Sequence, residues 1–162
     1  MTVHIESPLG FTADFPGHTQ VLADSAAGPN SEQYGLPGGV LVTVIMDDAS
    51  VRDAPQANGW AHLMAGFYRD ERDGAVLAEG ELDLPGKAAY AVVVGYDDGG
   101  GSPKIAATAG VWERGRFIGV VAIWPAVDPS VEPRLGMLKE IVARISPARQ
   151  PVPSAGGSRD RR

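Results

Sequence analysis

Hydrophobic and polar positions alternate with a period of two near the start of the chain. Val3 to Glu6 and then Phe11 to Phe15 read as short strands, joined through Ser7-Pro8-Leu9-Gly10. Phe11, Ala13 and Phe15 share one face of the second, and Pro16-Gly17 stops it, because proline offers no ladder N–H and glycine accepts turn dihedrals. Asp24 to Asn30 has the composition of a loop, and Glu32 to Leu36 of a short strand before the turn Pro37-Gly38-Gly39. Val40 to Met46 is apolar on both faces and rich in β-branched residues, as expected of a central strand covered on both sides.

The period then changes. From Gln56 to Arg72 the residues Trp60, Leu63, Met64, Phe67 and Glu71 fall three and four apart, which predicts a helix with an apolar stripe and Gly74 as its stop. Ala75 to Leu82 returns to strand, followed by a turn at Leu84-Pro85-Gly86. In Ala88 to Tyr96 the larger Tyr90, Val92, Val94 and Tyr96 lie on one face and the smaller Ala89, Ala91, Val93 and Gly95 on the other. After a glycine-rich turn from Asp97 to Pro103, Lys104 to Glu113 and Arg116 to Trp124 form a hairpin about Arg114-Gly115. A second helix is predicted from Pro129 to Ile145, with Asp128 as N-cap and a buried stripe of Val131, Leu135, Leu138, Val142 and Ile145. Lys139 and Arg144 fall towards its positive-charge-tolerant end, and Pro147 is expected to end it.

Short turns between consecutive strands imply an antiparallel sheet, and strands apolar on both faces imply layers above and below it. The fold class read from the pattern is therefore α+β, an antiparallel β-sheet sandwiched by helices. Residues 1–146 form one domain in this reading. Residues 147–162, broken by Pro-Val-Pro and Ser-Ala-Gly-Gly-Ser, are expected to be a disordered basic tail.

Charge sharpens that division. The chain of 162 residues carries a formal charge of −6, and its last sixteen residues hold four arginines against one aspartate. Residues 1–146 therefore carry −9, a balance that repels phosphate backbones and excludes nucleic acid as a partner of the folded part. The chain has no cysteine, which removes disulfides, thiolate chemistry and cysteine-held metals. Its apolar runs are too short for a membrane span. The first residues enter strand alternation with no basic segment before an apolar one, so a cytoplasmic location is expected unless a signal was removed.

Chemistry-bearing motifs are scarce. His4, His18 and His62 stand on different elements without a metal-ligand spacing. Gly80 to Ala88 imitates a phosphate loop but has the wrong spacing and no Ser or Thr after Lys87. Asp97 to Ser102 lacks the alternating carboxylates of a calcium loop, and Asp47-Asp48 reads as a solvated strand end. No Gly-x-Ser-x-Gly elbow is present. The expected catalytic, cofactor-binding and metal-binding residues are therefore none, and no cofactor is expected. Trp60 and Trp124 fit buried faces. Trp112, followed by Glu113-Arg114-Gly115-Arg116, places an aromatic beside arginines, both enriched in interface hot spots, although it also fits a ring covering the sheet edge.

Taken with the Phe11 to Gly17 strand, the Val40 to Met46 strand, the Trp60 to Arg72 helix and the Leu84-Pro85-Gly86-Lys87-Ala88 entry into a long strand, the closing hairpin and helix complete a familiar order. Over residues 3–146 the chain resembles the PsbP-like (Mog/PsbP) group of α/β/α sandwich domains. That resemblance implies a binding or accessory role and carries no catalytic motif onto any residue here. The expectation is a non-catalytic protein that binds another protein. Its rival is a small-molecule binder or enzyme with a pocket near Tyr90, Tyr96 and Trp112. Homodimerisation through a sheet face or edge strand is a third possibility.

Overall fold

The computed structural model describes residues 1–22, 30–126 and 134–148. In chain order the strands are β1 (Thr2–Glu6), β2 (Phe11–Pro16), β3 (Gln20–Leu22), β4 (Ser31–Leu36) and β5 (Val40–Met46). Helix α1 (Ala54–Gly66) follows, then β6 (Ala75–Leu82), β7 (Ala88–Asp97), β8 (Pro103–Glu113) and β9 (Arg116–Pro125). Helix α2 (Arg134–Ala143) and β10 (Ile145–Pro147) end the described chain.

Seven strands form the main sheet in the order β3-β4-β5-β9-β8-β7-β6, and all its pairings are antiparallel. β5 and β9, the strands read as apolar on both faces, lie near its middle. One face carries α1. The other carries a separate three-stranded sheet, β1-β2-β10, together with α2. The class is α+β, as the pattern predicts, but half of one outer layer is sheet rather than helix.

The larger core lies between the main sheet, the small sheet and α2. Phe11 and Phe15 of β2 are fully buried there against Tyr34 of β4, with ring centroids 6.4 and 5.1 Å away. Val42, Val44, Ile118, Val120, Trp124, Leu138 and Val142 complete it. The two alternating faces of β9 and of β7 thus divide between two cores, because Phe117 and Val121, and likewise Val92 and Val94, pack under α1 instead.

Four expectations are corrected. The first helix starts earlier, at Ala54, where the Asp53 side chain accepts the Gln56 N–H at 2.8 Å as N-cap. It passes at Gly66 into a π-helical turn, Phe67–Glu71. Its buried stripe is Ala57, Trp60, Ala61 and Ala65, while Leu63 and Phe67 face solvent. Over β8 the helix backbone lies so close to the sheet that only small side chains fit beneath it, and Trp60 is accommodated farther across, over Gly119 of β9. The second helix stops at Ala143, and Ile145–Pro147 forms β10 against β2 instead of a last helical turn. Of the expected tail 147–162, Pro147 is the last residue of β10 and Ala148 donates its N–H to the Gly10 carbonyl at 2.8 Å, while residues 149–162, like Asp128, Pro129 and Val131, lie outside the described residues. The short edge strand β3 was not anticipated, because three residues give no legible period.

Candidate binding site

Two motifs far apart in sequence meet where β5 and the β8–β9 hairpin end. β5 closes at Met46, and Asp47 turns the chain in the left-handed region with φ 55°, its N–H donating to the Phe117 carbonyl at 3.2 Å. The Asp47 carboxylate receives both ends of the Arg116 guanidinium, at 2.5 Å from Nη2 and 3.4 Å from Nε. Arg116 Nη1 donates in turn to the Gly10 carbonyl at 3.1 Å. Arg116 therefore ties the β1–β2 turn, β5 and β9 together at one corner, and a bidentate guanidinium–carboxylate pair holds that geometry.

Asp48 is fixed by its neighbour. Its carboxylate accepts the Ser50 N–H at 2.9 Å and the Ser50 hydroxyl at 2.7 Å. These bonds, chiefly that of the hydroxyl, hold its carboxyl below the usual carboxylate range. Val51 is buried against Phe117, and Arg52 lies exposed with Nε 3.4 Å from the Ala49 carbonyl.

Trp112 lies across from Phe117 in the β8–β9 register and is half-buried beside Val51, Trp60 and Phe117. It belongs to an interior strand and does not cover a sheet edge. With Asp47, Asp48, Arg52 and Arg116 it lines a hollow of about 320 Å³. The hollow has one aromatic wall, two carboxylates and two guanidiniums, and can engage a partial aromatic or aliphatic group together with charges of either sign. Arg114 points elsewhere: it donates to the Pro147 carbonyl of β10.

The remaining sequence candidates are dispersed. His4 Nδ1 lies 2.7 Å from Asp14 and its Nε2 3.4 Å from Glu6, on the exposed small sheet. His62 stacks on Tyr90 at 5.1 Å, and Glu79 lies 3.8 Å from its Nδ1. Tyr96 packs on Tyr68 at 5.2 Å, and burial raises both phenols. Tyr90 packs on Ala61 and Ala65, Tyr96 on Tyr68 and Trp112 on Phe117, spread along the face of the main sheet that carries α1. His18 sits at φ 71° in an exposed turn. Among the described residues no group of three His, Cys, Asp or Glu could hold a metal.

Sequence reasoning missed an apolar groove of about 220 Å³ between β2, the β4–β5 turn and α2. Phe15, Leu36, Val40, Met137 and Ile141 line it, with Glu140 and Arg144 among them. It forms where β2, the β4–β5 turn and α2, three segments distant in sequence, come together, so no local motif announces it.

No family model matches the chain, and no curated protein matches it. Solved structures do. The cyanobacterial PsbP (CyanoP) of Synechocystis sp. PCC 6803 superposes with a TM-score of 0.55 at 10% identity, over 90% of this chain and 92% of its own. The fold is PsbP-like. A protein from Bacteroides thetaiotaomicron VPI-5482 gives 0.55 at 9% identity over 91% of this chain, which spans about half (48%) of that longer one. LpqN of Mycobacterium tuberculosis, described as involved in cell envelope biogenesis, gives 0.50 at 14% identity, over 92% of this chain and 90% of its own. Within this PsbP-like sandwich the Trp112 hollow lies at one end of the main sheet. Among the described residues no helix is long and apolar enough to cross a membrane.

Proposed function

We propose that the chain is a non-catalytic, protein-binding accessory protein that seats its partner on the Trp112 hollow. The observation that carries this reading is the convergence of Trp112 and Arg116 with Asp47, Asp48 and Arg52, drawn from two segments sixty residues apart, around one open concavity. Tryptophan and arginine are enriched in interface hot spots: the indole covers a large area with two rotors and keeps an N–H, and the planar guanidinium offers several donors in one fixed fork. The Asp47–Arg116 pair and the Asp48–Ser50 bonds pre-organise the rim, which lowers the ordering cost of association.

The test is affinity capture from the native host with three baits: the intact chain, Trp112→Ala and Arg52→Glu. The Arg52 side chain is exposed and, among the described residues, makes one hydrogen bond of 3.4 Å, while its backbone N–H, which donates to Gln56 at 2.6 Å, is kept in the variant, so reversing the charge is expected to spare the fold. The reading expects one protein retained by the intact chain and lost from both variants. The apolar groove beside Met137 supports a second reading, a small amphiphile held against α2. If only the bait returns while a metabolite screen raises the melting temperature, that second reading replaces the first.

A further inference from the structure

We infer that the solvent face of α1 and the uncovered half of the main sheet beside it form a homodimer interface. α1 packs across β7 and β8 and reaches β9, where Trp60 lies over Gly119 and against Phe117 at 5.2 Å. Beyond Trp60 the same face of β5 and β4 has no helix above it among the described residues. Leu41 and Ile45 of β5 and Ile123 of β9 stay partly exposed there, while Thr43 and Val121 between them are buried. Alongside this strip, α1 presents Leu63 and Phe67, 74% and 42% exposed, one helical turn apart. Helix flank and open strip thus lie side by side on one molecule, and each lacks what the other supplies.

A second copy satisfies both at once. A two-fold axis parallel to α1, running between helix and strip, places the two α1 helices side by side between two facing sheets. Each helix then covers the other copy's strip, the self-complementary arrangement of an isologous dimer. Charge argues for the same face. An acidic chain repels its own copy wherever carboxylates meet, yet Ala54 to Tyr68 contains no Asp, Glu, Lys or Arg, and neither do Leu41, Thr43, Ile45, Gln33 or Ile123; the charges Arg69, Asp70, Glu71 and Arg72 border the face only at the Phe67 end. Charge depletion of this kind marks the core of an interface. A helix about 20 Å long and 10 Å wide beside three strands about 14 Å across gives a footprint of about 500 Å² per copy, or about 1,000 Å² in all, the lower bound of a specific interface.

Sedimentation or light scattering over a concentration series into the high micromolar range tests the inference. The intact chain is expected to reach twice the mass of one chain, and Leu63→Asp/Phe67→Asp to remain at the mass of one. Gly59→Arg provides an independent arm. A Cβ on Gly59 meets nothing within 4 Å, so the single chain keeps or raises its melting temperature while the arginine obstructs the partner's sheet. A monomeric intact chain at every concentration overturns the inference, including one that captures a different protein on this face. So does a dimer that survives Gly59→Arg and the aspartate pair.

Discussion

Gly110 of β8 lies directly beneath Ala57 of α1, so close that a Cβ on Gly110 would sit 1.9 Å from the Ala57 carbonyl oxygen. One turn along the helix, the Thr108 hydroxyl donates to the Ala61 carbonyl at 2.8 Å in a fully buried setting. Helix and sheet therefore meet backbone to backbone, which explains the alanine stripe. Gly110→Ala must push the helix off the sheet and is expected to cost at least about 3 kcal/mol, at the upper end of overpacking. Thr108→Val keeps the shape and loses one hydrogen bond, about 1 kcal/mol. Denaturant melts of the two variants check the ranking, and equal losses would contradict it.

Lys87 anchors the end of the described chain. Its buried ammonium donates to the carbonyls of Val142 (3.2 Å) and Ile145 and to the Ser146 hydroxyl (3.1 Å), and it lies 3.3 Å from Glu113 Oε1. Among the described residues that buried oxygen has no aligned hydrogen bond of its own, so it depends on the charge of Lys87. Lys87→Met leaves the carboxylate with only the half-exposed Arg114, whose Nη1 lies 3.8 Å from Oε2, and the expected loss is about 3 kcal/mol. Adding Glu113→Leu removes the stranded charge and should restore much of that loss. Hydrogen exchange adds a local readout: β10 amides should lose protection in the single variant before the main sheet does.

The contrast between Lys87 and Phe11 shows which features are legible in a linear pattern. Phe11, Ala13 and Phe15 announce a strand because their neighbours in sequence supply the alternation, and β5, β7, β8 and β9 were readable for the same reason. Lys87 looks like a turn residue, because its acceptors lie more than fifty positions away on α2 and β10. Leu63 and Phe67 match helical spacing yet face solvent, since the side of α1 that is buried depends on Gly110 and Thr108 across the interface. Trp112 and Asp47 could each be singled out alone. Their meeting depends on the β5–β9 pairing, which no local period encodes.

His4 gives the small sheet a dependence on pH. The hydrogen bond to Asp14 is the largest influence raising its imidazole above the usual 6.5, and Glu6 adds to it. Folding therefore favours the protonated ring. Its contribution is fully present below the unfolded value and is lost as pH rises through the elevated folded one. Asp14→Asn should bring the His4 titration, followed by NMR, back towards the ordinary value and remove this part of the pH dependence of melting. An unchanged titration would refute the assignment to Asp14.

The three tryptophans allow the proposed binding hollow to be watched without a label. Trp60 and Trp124 are 7% and 2% exposed, whereas Trp112 is only half-buried. Acrylamide should therefore quench a minor fraction of the emission readily, and Trp112→Phe should abolish that fraction while leaving the remainder. Partner binding on the hollow must shield the same fraction. Asp47→Asn separates positioning from stability: Asn tolerates the left-handed backbone at φ 55°, and losing a partly exposed ion pair costs about 1 kcal/mol or less. Arg116, freed from its bidentate partner, no longer fixes the rim. Partner affinity should fall several-fold more than that small stability loss converts to, and a variant that binds as tightly as the intact chain would remove Arg116 from the site.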